Sequence, residues 1–109
     1  MRYVPKRGDV VWLDFAPQAG HEHSGRRPAL VLSPESYNSK TSLMLCCPLT
    51  RQRKGYPFEV GIDVRGEPGV VLADQVRSLD WRVRRAEKIA GVDEEVLVDV
   101  LAKIQTLLV

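Results

Sequence analysis

The hydrophobic pattern is the feature that most limits what this chain can fold into. Apolar residues come in short runs of strand length, broken by Gly and Pro, until one helical stretch near the C-terminal end. Asp9-Val10-Val11-Trp12-Leu13-Asp14-Phe15 alternates, with Val11, Leu13 and Phe15 on one face and Val10, Trp12 and Asp14 on the other, which predicts a half-buried strand. Pro28-Ala29-Leu30-Val31-Leu32 and Leu43-Met44-Leu45-Cys46-Cys47 are continuous apolar runs bounded by turn residues, the pattern of central strands covered on both faces. Phe58–Asp63, Gly69–Ala73 and Arg82–Ile89 predict further strands. About six short strands with this punctuation argue for a small barrel or sandwich.

Only the C-terminal stretch has helical periodicity. Val96, Leu97, Val100, Leu101, Ile104, Leu107 and Leu108 recur at three-to-four spacing, so one amphipathic helix is expected to pack its apolar face onto the strands. Asp93 can cap it, and Glu94 and Glu95 complement the dipole of its first turn. The expected fold class is therefore mainly β with a C-terminal helix, an α+β arrangement. At 109 residues, 1–109 fit a single domain with one hydrophobic core.

Composition narrows the function classes. An apolar fraction of 44% with 28% charged residues lies in the globular range. The N-terminal Met1-Arg2-Tyr3-Val4-Pro5-Lys6 has no apolar run behind its basic residues, and no stretch approaches a membrane span; a cytoplasmic protein is expected. Cys46 and Cys47 are adjacent, which suits neither a spaced zinc-ligand pair nor a disulfide staple, and alternation places one inside and one outside. Net charge is +2, unevenly spread: residues 1–60 carry 9 basic against 5 acidic side chains, and 61–109 carry 7 against 9. A polyanionic partner is compatible with this, though charge alone does not decide it.

Three segments are longer and more polar than simple connections need: Ala16–Arg26, Ser33–Thr41 and Thr50–Pro57. Chemistry is expected there. The first ends in Gly20-His21-Glu22-His23-Ser24-Gly25-Arg26-Arg27-Pro28, a carboxylate, two imidazoles and two guanidiniums between glycines. A guanidinium fork matches a phosphate and stabilises charge gained in a phosphoryl transition state; a solvated polar loop is the plain alternative. His21-Glu22-His23 as a metal site is disfavoured, because alternate residues of an extended segment point apart. Thr50-Arg51-Gln52-Arg53-Lys54-Gly55-Tyr56-Pro57-Phe58 interleaves three cations with a hydroxyl, an amide and two aromatics, which suits single-stranded nucleic acid. Asp74-Gln75-Val76-Arg77-Ser78 sets an acid, an amide and a base together, either as an ion-pair corner or as part of a site. Trp12, Tyr37 and Trp81 read first as packing residues.

Four segments in order carry a resemblance to a known family: Arg7-Gly8-Asp9-Val10-Val11-Trp12, Gly20–Pro28, Lys54-Gly55-Tyr56-Pro57-Phe58-Glu59-Val60 and Leu72-Ala73-Asp74-Gln75-Val76-Arg77-Ser78. Over nearly its whole length the chain resembles the MazF/PemK toxins of bacterial toxin–antitoxin modules, and within them the MazF branch. The resemblance implies a small SH3-like barrel with a C-terminal helix and a homodimer. It also implies sequence-specific cleavage of single-stranded mRNA that arrests translation and growth, leaving a 2′,3′-cyclic phosphate and a 5′-hydroxyl. No metal or other cofactor is implied, and the implied protein partner is an antitoxin of the MazE type.

Matched residue by residue, the resemblance makes Arg27, Thr50 and Glu22 catalytic. Arg27 and Thr50 would hold the scissile phosphate, and Glu22 would accept the 2′ proton or orient Arg27; the general acid stays open. Expected substrate contacts are His21, His23, Arg26, Arg51, Gln52, Arg53, Lys54, Tyr56, Asp74, Gln75 and Arg77. His21 and His23 stand where the family more commonly has Ser and Gln. Two rival readings remain at this point: a CcdB-like toxin that binds gyrase without chemistry, and a barrel that binds RNA without cutting it.

Overall fold

The computed structural model describes residues 2–15 and 25–109. Among them are seven strands and two helices: β1 (Asp9–Asp14), β2 (Arg26–Val31), α1 (Glu35–Thr41), β3 (Leu43–Thr50), β4 (Glu59–Val64), β5 (Glu67–Leu72), β6 (Arg77–Asp80), β7 (Glu87–Gly91) and α2 (Glu94–Thr106). The strands form one antiparallel sheet in the order β4-β5-β3-β2-β1-β7, with β6 also paired to β3. The expected class, mainly β with a C-terminal helix, is the one observed.

The sheet has a core on each side, and neighbouring residues of its central strands feed different ones. Val10, Leu30 and Cys47 belong to a cluster closed by α2, whereas Val11, Ala29, Val31 and Cys46 belong to a cluster closed by Trp81 and Leu79. This corrects two expectations. The first half of β1 is buried on both faces, since Val10 and Val11 are both inaccessible, and only Trp12 breaks the burial. Cys46 and Cys47 are likewise both buried, and burial pushes each thiol up to about 12, so neither is a thiolate nucleophile at neutral pH.

β3 is the hinge of the architecture. One edge pairs with β2 through Cys46, Cys47 and Pro48. Its other edge pairs first with β6, from Leu43 to Cys46, and then with β5 at Leu49 and Thr50. The connection Ala73–Val76 therefore emerges where β3 changes partner.

Ser33–Thr41, expected to be a functional loop, is instead a structural anchor built around α1. Asn38 is fully buried. Its Nδ2 donates to the carbonyls of Pro5 (2.8 Å) and Ser33 (3.1 Å), and its Oδ1 accepts from the Ser33 hydroxyl (2.6 Å). The Trp81 indole N–H donates to the Asn38 carbonyl at 2.9 Å, and Ser33 Oγ accepts from Leu45 N–H at 2.9 Å. The Asn38 side chain, its backbone carbonyl and the Ser33 hydroxyl thus tie the N-terminal segment, the turn after β6 and β3 together.

Arg82–Ile89, read as one strand, divides into a turn followed by β7. Asp80 Oδ1 accepts from the backbone N–H of Arg82 and Val83, both at 3.0 Å, and Arg85 adopts a left-handed φ of 55°. Those local bonds compete with the strand ladder. α2 packs Val96, Leu97 and Ile104 around the fully buried Val100, while Leu101, Leu107 and Leu108 remain exposed. Asp93 occupies the cap position with extended backbone but makes no side-chain cap bond.

Candidate active site

Arg27 and Thr50 meet because of strand register. β2 and β3 pair Leu30 with Cys47 and Ala29 with Pro48; continuing that register by two residues brings Arg27 opposite Thr50. There the β2–β3 pairs have ended at Ala29 and Pro48, while the other edge of β3 turns to pair Thr50 with Val70 of β5, and a concavity opens beside them. Gly69 makes the turn possible, because a Cβ at that position would stand 2.9 Å from the Thr50 carbonyl oxygen.

The concavity encloses about 430 Å³. Arg27 and Thr50 line it together with Gln52, Lys54, Tyr56, Gln75 and Arg77, five of the expected substrate contacts. Phe15, Pro48, Leu49, Glu59 and Leu72 complete the lining among the described residues. Arg77 lies over the Phe15 ring, 5.3 Å from its centroid, which braces the guanidinium by cation–π attraction. Among the described lining residues, Arg27, Lys54 and Arg77 are three cations facing one carboxylate, Glu59. That carboxylate is occupied: it accepts backbone N–H bonds from Lys54 (2.9 Å), Gly55 (3.1 Å) and Tyr56 (3.4 Å), and these hold it below the usual carboxylate range. The balance favours an anion with several oxygens.

Asp74 joins the site through a partner. The Tyr56 hydroxyl donates to Asp74 Oδ2 at 2.5 Å, and this bond to a carboxylate pushes the Tyr56 pKa up. Tyr56 therefore stays protonated near neutrality and serves as a donor and an aromatic surface, not as a base. Asp74 Oδ1 is buried without a hydrogen-bond partner among the described residues.

Three expected contacts point elsewhere. Arg26 donates to Asp14 at 2.8 Å and to the Arg85 carbonyl at 2.6 Å. Arg51 pairs with Glu67 at 2.8 Å and faces a neighbouring apolar groove bordered by Trp12, Ile62 and Ile89. Arg53 lies across β4, its Nη2 3.2 Å from where a Cβ on Gly61 would stand. His21, Glu22 and His23 lie outside the described residues. Phe15 and Arg27, which flank them in the sequence, both line the cavity.

The residue reading missed Phe15 and Glu59 as parts of the site. Phe15 shares the alternating face of Val11 and Leu13, which made it look like core. Glu59 carried a signal, since it follows a Gly-Tyr-Pro turn whose backbone donors need an acceptor.

Residues 6–108 match the family described as PemK-like, MazF-like toxin of type II toxin–antitoxin system. The chain belongs to that family. Among relatives, it is 52% identical over 107 residues to the endoribonuclease toxin MazF of Escherichia coli K12, covering 98% of this chain and 96% of that one. It is 32% identical over 100 residues to the endoribonuclease EndoA of Bacillus subtilis, covering 86% and 85%. Among solved structures, MazF in a MazE–MazF crystal from Deinococcus radiodurans superposes with a TM-score of 0.92 at 58% identity, covering 98% of this chain and 97% of that one. This MazF-family chain thus has its Arg27–Thr50 cavity on the fold the resemblance implied.

Proposed function

We propose that this chain is the toxin of a type II toxin–antitoxin module and cleaves single-stranded mRNA at specific sequences. The observation that carries this reading is the convergence of Arg27, Thr50, Lys54, Gln75 and Arg77 on one concavity, supported by 52% identity to an endoribonuclease along almost the whole chain. A gyrase-binding barrel has no need of such a cation–hydroxyl–amide constellation.

In the proposed reaction the RNA 2′-oxygen attacks the adjacent phosphorus, the bond from phosphorus to the 5′-oxygen breaks, and a 2′,3′-cyclic phosphate and a 5′-hydroxyl result. The phosphorane gains negative charge on its non-bridging oxygens, which the Arg27 fork and the Thr50 hydroxyl hold. Glu22 takes the 2′ proton or orients Arg27, and the leaving 5′-oxygen takes up a proton to become the 5′-hydroxyl. Lys54 and Arg77 bind flanking phosphates, Tyr56 offers a stacking face, and Gln52 and Gln75 present amides to bases. His21 and His23 contact substrate from the segment that precedes β2 in the sequence. Arg26, Arg51 and Arg53 sit outside the cavity and add only long-range attraction. DNA survives because it lacks the nucleophile.

The chain works as one domain and as a homodimer, and an antitoxin of the MazE type neutralises it. The MazE–MazF crystal of the 58% identical Deinococcus radiodurans protein supports that partner. Arg27→Ala is expected to lower kcat/KM on an mRNA transcript by roughly a hundredfold to a thousandfold, with a smaller loss in Thr50→Ala. Full activity in Arg27→Ala would sink the assignment.

A further inference from the structure

Residues 51–57 form the rim of the cavity, and every one of them is exposed. A segment so placed has no core to hold its shape, yet it must present Lys54 and Tyr56 to the concavity. At its start the Gln52 N–H donates to Thr50 Oγ1 at 3.2 Å, and the three donors around its turn share one carboxylate: Glu59 Oε2 takes the N–H of Lys54, and Glu59 Oε1 takes those of Gly55 and Tyr56. Glu59 itself is anchored, since it opens β4 opposite Leu72 of β5, and the Phe58 carbonyl before it accepts from Ala73 N–H at 2.9 Å. The Glu59 N–H in turn donates to the Tyr56 carbonyl at 3.1 Å. Gly55 supplies the left-handed φ of 77° that the turn around the carboxylate requires.

A carboxylate in the wall of a cavity built for phosphate needs a reason, because it repels the ligand. Three backbone N–H bonds supply one. We infer that Glu59 is a positioning residue: its carboxylate folds the basic rim around itself and so fixes Lys54 and Tyr56 in the orientation that receives RNA. This rests on reading the cavity as an RNA site. The consequence is specific, in that Glu59 governs how tightly RNA binds and leaves the chemical step at Arg27 and Thr50 nearly untouched.

The test begins with the wild-type full-length chain and a heat-denatured mRNA transcript, from which the cleavage site is mapped. An oligonucleotide of that sequence serves for kinetics, and its 2′-deoxy version at the attacking nucleotide, which cannot be cut, serves for affinity. Glu59→Ala is expected to raise KM and Kd about tenfold through lost preorganisation, with kcat within about twofold. Glu59→Gln keeps one carbonyl acceptor and is expected to recover part of the affinity. Gly55→Ala strains the same turn without touching Glu59, in open space, and is expected to raise KM in the same direction; it also decides the matter if Glu59→Ala does not fold. Wild-type KM in Glu59→Ala and Gly55→Ala, or a fall in kcat alone, overturns the assignment while RNA cleavage by the wild type stands. Wild-type protein that neither cuts nor binds the transcript overturns the ribonuclease reading itself.

Discussion

At the residue scale, the catalytic geometry depends on a side chain that is absent. A methyl group at Gly69 would press on the Thr50 carbonyl at 2.9 Å, closer than the backbone tolerates, so the end of β3 would have to shift. Gly69→Ala is expected to cost roughly tenfold to a hundredfold in kcat/KM, since a displacement near one ångström is enough for that. Gly91→Ala, where a Cβ meets open space, is the matched control and should cleave RNA at the wild-type rate. Asp14 offers a second residue-scale test. Hydrogen bonds from Arg85 and Arg26 hold its carboxyl below the usual range, so its contribution to stability is present above the unfolded pKa, about 3.9, and is lost as pH falls through the lower folded value. Asp14→Asn should therefore flatten the drop in melting temperature below about pH 4; an unchanged acid limb would remove Asp14 from the account. Glu59 and Asp80 have lowered carboxyls as well, so some acid sensitivity should persist.

At the scale of elements, what was legible followed from periodicity and what was not followed from tertiary bonds. The runs at Pro28–Leu32 and Leu43–Cys47 were readable as central strands because nothing polar interrupts them. α1 was not readable: its composition is that of a loop, and the buried bonds of Asn38 to Pro5, Ser33 and Trp81 that anchor the helix come from distant segments. Asn38→Ala should lower stability by about 3 kcal/mol by leaving buried groups unpaired, while cleavage per folded molecule stays at the wild-type level. Denaturant unfolding alongside an RNA cleavage assay separates the two; a specific loss of cleavage in fully folded protein would mean that α1 serves the site as well. The site residues were legible in part because the family resemblance points to Arg27 and Thr50, and because the composition of 50–58 suits a nucleic acid. Their convergence was not, since it depends on β3 exchanging β6 for β5 between Cys46 and Leu49. For the same reason Arg26, Arg51 and Arg53 looked equivalent to Lys54 and Arg77 as substrate contacts until ion pairs and the strand direction separated them.

At the scale of the whole molecule, a net charge of +2 gives little hint of a nucleic-acid enzyme, but the cavity concentrates cations that the rest of the surface offsets. Arg26 and Arg85 share Asp14, Arg26 also pairs with Glu87, and Arg51 pairs with Glu67, whereas Arg27, Lys54 and Arg77 all face one concavity. RNA affinity should therefore fall steeply with salt, as phosphate contacts release counterions. The central claim is that these groups cut RNA by using its own 2′-hydroxyl. The most direct measurement incubates the purified protein with an mRNA transcript in excess chelator and identifies the new ends. The account expects cleavage at a short recurring sequence, with 2′,3′-cyclic phosphate and 5′-hydroxyl termini and no cutting of the same sequence as DNA. Intact RNA under these conditions, or 5′-phosphate termini, would contradict it.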